Sequence, residues 1–243
     1  MKALFSVFLA AAAAVACRTS AESWGTDLPG IVTRLPRAQK EIALTFDACS
    51  GRGRGIDREI LTVLAAEEAP ATVFVSGVWV KGHEADFEDL LKNPLIDIEN
   101  HGAEHKPLSR TGREAYGIKG TASLEEMRDE VEREARALES ATGRRPSCFR
   151  SGTAFYDETG VAAVRELGFV PVGFSVLGDC GATWDADRVE RALLASAAGD
   201  IVILHINHPE SGTAEGLRRA LPALKARGFT FVRLDRTVCP AGR

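Results

Sequence analysis

The sequence predicts a single α/β domain built around a mostly parallel sheet, and three observations carry that prediction. Segments of strand periodicity alternate with segments of helical periodicity along nearly the whole chain, and hairpin signals are few. The 243 residues, 45% of them hydrophobic, supply one sizeable core and give little reason to split it. A sheet of this kind is either closed as a barrel or open and doubly wound, and periodicity alone does not choose between them.

The first strand is read over Glu41 to Cys49, where Ile42, Leu44 and Phe46 fall on one face and Ala43, Thr45 and Asp47 on the other. A helix over Ile56 to Glu68 carries Ile60, Leu61 and Leu64 on one stripe. A β-branched and aromatic strand over Ala71 to Ser76 follows it. The alternation continues with a helix at Phe87 to Leu91 and a strand at Ile96 to Asn100. The helix from Leu124 to Ser140 opens on Ser123, whose hydroxyl caps a free N–H while Glu126 reaches back, and it stops at Gly143. Beyond it lie a strand at Cys148 to Ser151, a helix at Thr159 to Leu167, a strand at Pro171 to Leu177, a helix at Asp187 to Ala197 and a strand at Ile201 to His205. The last helix, with Leu217, Ala220, Leu221 and Leu224 on one side, contains Pro222, which predicts a kink or restart there. Phe229 to Leu234 makes the seventh strand. The stretch from Lys106 to Ala122 lacks clear periodicity, and loops of that length are often functional.

Ahead of the domain, Lys2 precedes an apolar run from Ala3 to Ala16 that is too short to span a bilayer and carries no polar face. Residues 1–16 are therefore read as a signal peptide, with cleavage as late as residue 21, residues 17–40 as a lead-in and residues 41–243 as the domain. Val15-Ala16-Cys17 loosely resembles a lipobox, so a membrane attachment is expected only if Cys17 is lipidated; otherwise the chain is periplasmic or secreted. Four further cysteines, Cys49, Cys148, Cys180 and Cys239, allow three full pairings, among which the sequence does not choose. A formal charge of −4 argues against a nucleic-acid partner.

Asp47, His101, Arg150, Asp179 and His205 each lie at or just past the C-terminal end of a predicted strand. That rim is where parallel barrels assemble their chemistry. Each has an ordinary structural explanation when taken singly, since an Asp after a strand often caps a helix and a lone His is usually a hydrogen-bonded core residue. Five on one rim point instead to a site. His101 and His105, four residues apart, share one face if the segment forms a helical turn, where a divalent ion would sit between them. His205 is a better proton donor than His208, which stands further out. The run Ser50 to Gly55 fits neither the dinucleotide fingerprint nor the P-loop spacing, and no Gly-x-Ser-x-Gly elbow occurs.

In order along the chain, Leu44-Thr45-Phe46-Asp47, Asn100-His101-Gly-Ala-Glu-His105, Phe149-Arg150, Gly178-Asp179 and Ile203-Leu204-His205 resemble the motif series of the polysaccharide deacetylases with a NodB-homology domain. The resemblance runs from Glu41 to Asp235. It implies a distorted (β/α)7 barrel, which decides for the closed sheet, and a metal-dependent hydrolase that removes N-acetyl groups from the amino sugars of a polysaccharide. By this resemblance Asp47 is the base that takes a proton from the attacking water and His205 the acid that protonates the departing amine. Arg150 holds Asp47 ionised, Asp179 pairs with His205, and a backbone N–H near Gly152 stabilises the oxyanion.

The sequence departs from that series in three places. Where the family has a second Asp to complete an Asp-His-His metal triad, this chain has Ala48. Asp47 itself, Cys49, Glu99, Asn100 or water then fills the position; the favoured set is His101, His105 and Asp47, with Asp47 both ligand and base, around a divalent ion for which zinc is the first candidate. Arg150 is followed by Ser-Gly-Thr-Ala-Phe-Tyr156 in place of a short Pro-Tyr turn. Cys180 stands where a Trp is usual, leaving Trp184 as the expected wall. The competing expectations are a carbohydrate-binding protein that has lost catalysis, motivated by Ala48, and a related hydrolase of a different amide, against which the leader argues.

Overall fold

In the computed structural model the described residues are 22–36, 39–50, 55–236 and 238–239. The leader and Cys17 lie outside them, as do residues 51–54 of the Ser50 to Gly55 loop. Among the described residues no helix is long and apolar enough to cross a membrane.

The molecule is a distorted (β/α)7 barrel. All pairings in the main sheet are parallel, in the order 176–177, 201–205, 41–48, 71–75, 96–100, 148–149, 170–171. The segment predicted as one strand from Pro171 to Leu177 is two short strands, Val170–Pro171 and Val176–Leu177, at opposite ends of that order. The chain between them bends at Ser175 as it leaves one neighbour and joins another, which carries it across the gap and rounds off the barrel. The last strand, Thr230–Val232, pairs with residues 41–43. Ala43 also pairs with Ile201, so the last strand lies on the side where residues 45–48 pair with Thr72 to Val75. This seventh strand is a wedge, and the wedge is the distortion.

Period-two alternation sorts the strand Glu41–Ala48 into two environments. Ile42, Leu44, Phe46 and Ala48 join a large cluster with Ile60, Leu64, Leu217 and Leu221 from the covering helices. Ala43 faces inward with Phe74, Cys148, Val172 and Ile201. Both faces are buried, as expected for a parallel strand sandwiched between a barrel interior and a helical shell.

The helices begin where their caps place them. Asp57, Ser76, Ser123, Asp157 and Asp185 each accept a hydrogen bond from a backbone N–H in the first turn. The final helix runs from Thr213 to Ala226 through Pro222 without the expected restart. Two features escaped the periodicity reading. Trp24–Gly25 of the lead-in pairs antiparallel with Tyr156–Asp157, and the Lys106 to Ala122 stretch contains a small hairpin, Glu114–Ala115 with Ile118–Lys119. Two-residue strands are too short for a pattern to register.

Of the three cysteine pairings, the structure contains Cys148–Cys239, while Cys49 and Cys180 are free. The bridge ties the strand Cys148–Phe149 to the end of the described chain across a sequence separation of 91 residues. A cross-link over a loop this long removes denatured-state entropy. The variant Cys239→Ser is therefore expected to lose roughly 2–5 kcal/mol of stability, read as a lower urea midpoint relative to the oxidised wild type.

Candidate active site

The strand Glu41–Ala48 delivers Asp47 to the interior, where its carboxyl meets the guanidinium of Arg150. The Nη1 of Arg150 donates to Asp47 Oδ1 at 2.7 Å, and its Nη2 donates to Thr45 Oγ1 and to the Gly173 carbonyl, both at 2.9 Å. The Arg150 side chain is fully buried, and its guanidinium sits 4.3 Å from the centroid of the Phe74 ring. Burial alone would raise the Asp47 carboxyl, but the charges of Arg150, His101 and His205 overcome it and hold the carboxyl below its ordinary value.

His101 and His105 are neighbours, though not by the helical turn that their spacing suggested. No helix covers residues 101–105; Gly102 and His105 both have positive φ, 85° and 58°. A loop through the left-handed region folds the two rings together at 4.8 Å between centroids. Gly102 is suited to that conformation, and a Cβ there would stand 2.4 Å from Glu130 Oε1. The carboxylate of Glu130 anchors the loop by accepting from the backbone N–H groups of Glu104 and Lys106. Nδ1 of His101 donates to the Arg150 carbonyl at 2.8 Å, which turns its Nε2 toward Asp47 Oδ2 at 3.6 Å and Cys49 Sγ at 3.7 Å. The Nε2 of His105 is buried and has no hydrogen-bond partner among the described residues.

His205, at the end of the strand Ile201–His205, is held from behind by Asp179. One carboxylate oxygen receives the ring Nδ1 at 2.8 Å, and the other accepts the His205 backbone N–H at 2.7 Å and the Thr213 hydroxyl at 3.1 Å. Burial lowers the affinity of the imidazole for a proton, but the neighbouring Cys49 and Asp179 more than reverse this and hold it well above its usual value. His208 stands at the rim, with its Nδ1 3.2 Å from Glu210.

One pocket of about 430 Å³ exposes Asp47, Cys49, His105 and His205, with Tyr116, Ile118, Phe174 and Leu177 among its apolar walls. Four of its lining residues, His105, Tyr116, Thr153 and Cys180, hold left-handed backbone conformations unusual for side chains other than glycine. Strain of this kind concentrates at functional sites.

The residues after Arg150 settle differently from the expected pattern. A Cβ on Gly152 would stand 2.1 Å from the His105 carbonyl oxygen, so the position requires glycine to let the two loops touch. The next residue, Thr153, lines the pocket, and its buried hydroxyl has no hydrogen-bond partner among the described residues. Cys180, Gly181 and Thr183 form the wall expected of Trp184, which packs instead against the helix-side cluster. Glu99 is committed to Arg144 and to the N–H groups of Ser147 and Cys148. Asn100 uses both ends of its amide, on the Val131 carbonyl and the Gly102 N–H. Neither has a free donor atom for a metal.

The donor set that remains fits a divalent ion. Ligand atoms of Cys49, His101 and His105 lie within 4.8 Å of one another, and so do those of Asp47, Cys49 and His205. The orphaned Nε2 of His105 is the kind of buried polar atom that a cation satisfies. Tyr116 and Thr153 carried no signal in the sequence; each matters through a loop conformation that no periodicity encodes.

The polysaccharide deacetylase family model matches residues 34–172. A chitooligosaccharide deacetylase from Bradyrhizobium sp. is 28% identical over 207 residues, covering 78% of this chain and 87% of that protein. A peptidoglycan-N-acetylglucosamine deacetylase from Bacillus cereus is 27% identical over 209 residues, covering 84% and 91%. Among solved structures, a CE4 family pseudoenzyme from Bacillus anthracis superposes with a TM-score of 0.71 at 20% identity, covering 86% of this chain and 69% of that one. A family 4 carbohydrate esterase from Bacillus subtilis does so with a TM-score of 0.70 at 23% identity, covering 85% and 84%. With the model match extending over more than half its length, this chain belongs to the polysaccharide deacetylase family.

Proposed function

We propose that the protein is an exported, metal-dependent hydrolase that removes N-acetyl groups from the amino sugars of a cell-wall or extracellular polysaccharide. The observation that carries the reading is a pair of oppositely tuned groups in one pocket: Asp47, held ionised by Arg150, and His205, held protonated beside Asp179. Environments that push two titratable groups apart divide the roles of base and acid between them.

A divalent ion held by the histidines would supply Lewis acidity, polarising the amide carbonyl and making a water more acidic. Asp47 then takes the proton of the attacking water, its second oxygen being the one not clamped by Arg150. As the carbon–nitrogen bond breaks, Nε2 of His205 delivers a proton to the leaving nitrogen, so that amine and acetate depart; Nδ1 stays on Asp179. Thr153 lines the pocket, and a rotation of its buried hydroxyl, unpartnered among the described residues, would let it donate to the developing oxyanion. The apolar walls at Tyr116, Ile118, Phe174 and Leu177 suit the faces of a pyranose and its acetyl methyl.

Export is supported by the apolar run of residues 3–16 behind Lys2 and by the disulfide, which persists in oxidising compartments. The product is then periplasmic or secreted, and membrane-anchored if Cys17 is acylated. The deacetylases of chitooligosaccharide and peptidoglycan among the relatives support an N-acetylated glycan as substrate. Ala48 favours one second reading, a carbohydrate-binding protein without turnover.

Acetate release from N-acetylglucosamine oligomers and from peptidoglycan by the metal-loaded protein tests the two against each other. Release is expected, falling by about 10²- to 10⁴-fold in Asp47→Asn; sugar binding without release under any metal would favour the second reading. The pH profile supplies a further check. Because the His205 proton affinity is raised, activity should decline only as pH climbs through that raised value. Asp179→Asn removes one of the charges that raise it, so the alkaline limb should move to lower pH while the acid limb, set by Asp47, stays in place.

A further inference from the structure

We propose that Cys49 supplies the third protein ligand of the metal, so that the ion is held by Cys49 Sγ with His101 and His105, and Asp47 remains with Arg150 as a base. The proposal rests on the deacetylase reading for its chemistry, but its geometry stands separately.

Strand alternation is the first argument. Ala48 is fully buried and belongs to the helix-side cluster with Ile60 and Leu64. Its side chain points away from the pocket. Cys49, two residues beyond Asp47, lines the same pocket as Asp47. The backbone there is pinned, since the Ser76 hydroxyl bonds to the carbonyls of both Ala48 and Cys49.

Distance is the second. Zinc bonds of about 2.3 Å to sulfur and about 2.0–2.1 Å to nitrogen, at a tetrahedral angle, place the two ligand atoms about 3.6 Å apart. Cys49 Sγ and His101 Nε2 are 3.7 Å apart. All three ligand atoms of the Cys49, His101 and His105 group lie within 4.8 Å of one another.

The third argument is the state of the imidazoles. The Arg150 carbonyl can only accept, so His101 carries a proton on Nδ1, and Nε2, which faces the thiol, is the nitrogen left to bind a metal. Among the described residues the buried Nε2 of His105 has no hydrogen-bond partner of normal geometry, and it lies within reach of the Cys49 thiol. A thiolate with two imidazoles is a softer set than a carboxylate with two imidazoles, so it selects zinc over magnesium, calcium or manganese. It also frees Asp47 from serving as both ligand and base.

Cobalt(II) substitution reads the sulfur directly. The cobalt protein should show thiolate-to-cobalt charge-transfer absorption in the near ultraviolet, kept in Asp47→Asn and absent in Cys49→Ser. Zinc affinity in Cys49→Ser should fall by more than the roughly 10- to 100-fold that follows loss of a ligand's hydrogen-bond partner. Should Cys49→Ser fold poorly, the wild type answers by alkylation. Zinc should protect Cys49 from iodoacetamide and a chelator should expose it, with the exposed Cys180 labelled in both states as an internal control. Metal binding and acetate release without the charge-transfer band, or without protection of Cys49, would overturn the thiolate ligand and leave the deacetylase reading standing. The band without acetate release on any N-acetylated glycan would support the ligand and overturn that reading. An acyl group trapped on Cys49 by substrate would make the residue a nucleophile and overturn the proposal.

Discussion

The buried pairing of Arg150 with Asp47 is the constraint on which the rest of the site depends. A fully enclosed guanidinium is tolerable only when its charge is met, and here a carboxylate, a threonine hydroxyl, a backbone carbonyl and an aromatic face meet it together. Removing either ionic partner would strand the other in the interior, which costs about 3–5 kcal/mol. The same residue's carbonyl sets the tautomer of His101. One arginine therefore orients the Asp47 carboxyl, fixes the ring of His101, and joins the strand Glu41–Ala48 to the segments around Phe74, Gly173 and His101.

Around that centre, scaffold and loops divide the labour. Parallel strands with both faces buried hold Asp47 and His205 opposite one another; the two are paired in register between adjacent strands. The pocket walls come from segments with strained backbone: the His105 loop, the Tyr116 hairpin, the Thr153 turn and the Cys180 turn. Gly152 lets two of these touch, because any side chain there would strike the His105 carbonyl. Asp47 and His205 are thus anchored on the rigid barrel, and the shape of the pocket around them is set by loops.

Much of the fold was legible because burial writes itself into periodicity. The segments 41–48, 71–75, 96–100 and 201–205 are long enough for an alternating or wholly apolar pattern to register, and the capped helices announce their own beginnings. The strands of two residues left no pattern. The stretch from Pro171 to Leu177 reads as one strand because its residues are mostly apolar and β-branched or aromatic; which neighbours it pairs with is a property of the closed barrel. The spacing of His101 and His105 suggested a helical turn, but a left-handed loop produces the same proximity. Spacing limits how far apart two side chains can be without specifying the path between them.

By itself, then, the sequence determined the α/β alternation, the family motifs, the rim on which Asp47, His101, Arg150, Asp179 and His205 fall, and the lack of a carboxylate at position 48. Only the tertiary structure decided that Cys148 pairs with Cys239, that Glu99 and Asn100 are spoken for, and that the thiol of Cys49 lies beside two imidazoles. The physical reason is range. Propensity, capping and alternation act over a few neighbouring residues, whereas a ligand set or a disulfide is chosen by which distant atoms the closed barrel brings within a few ångströms of each other.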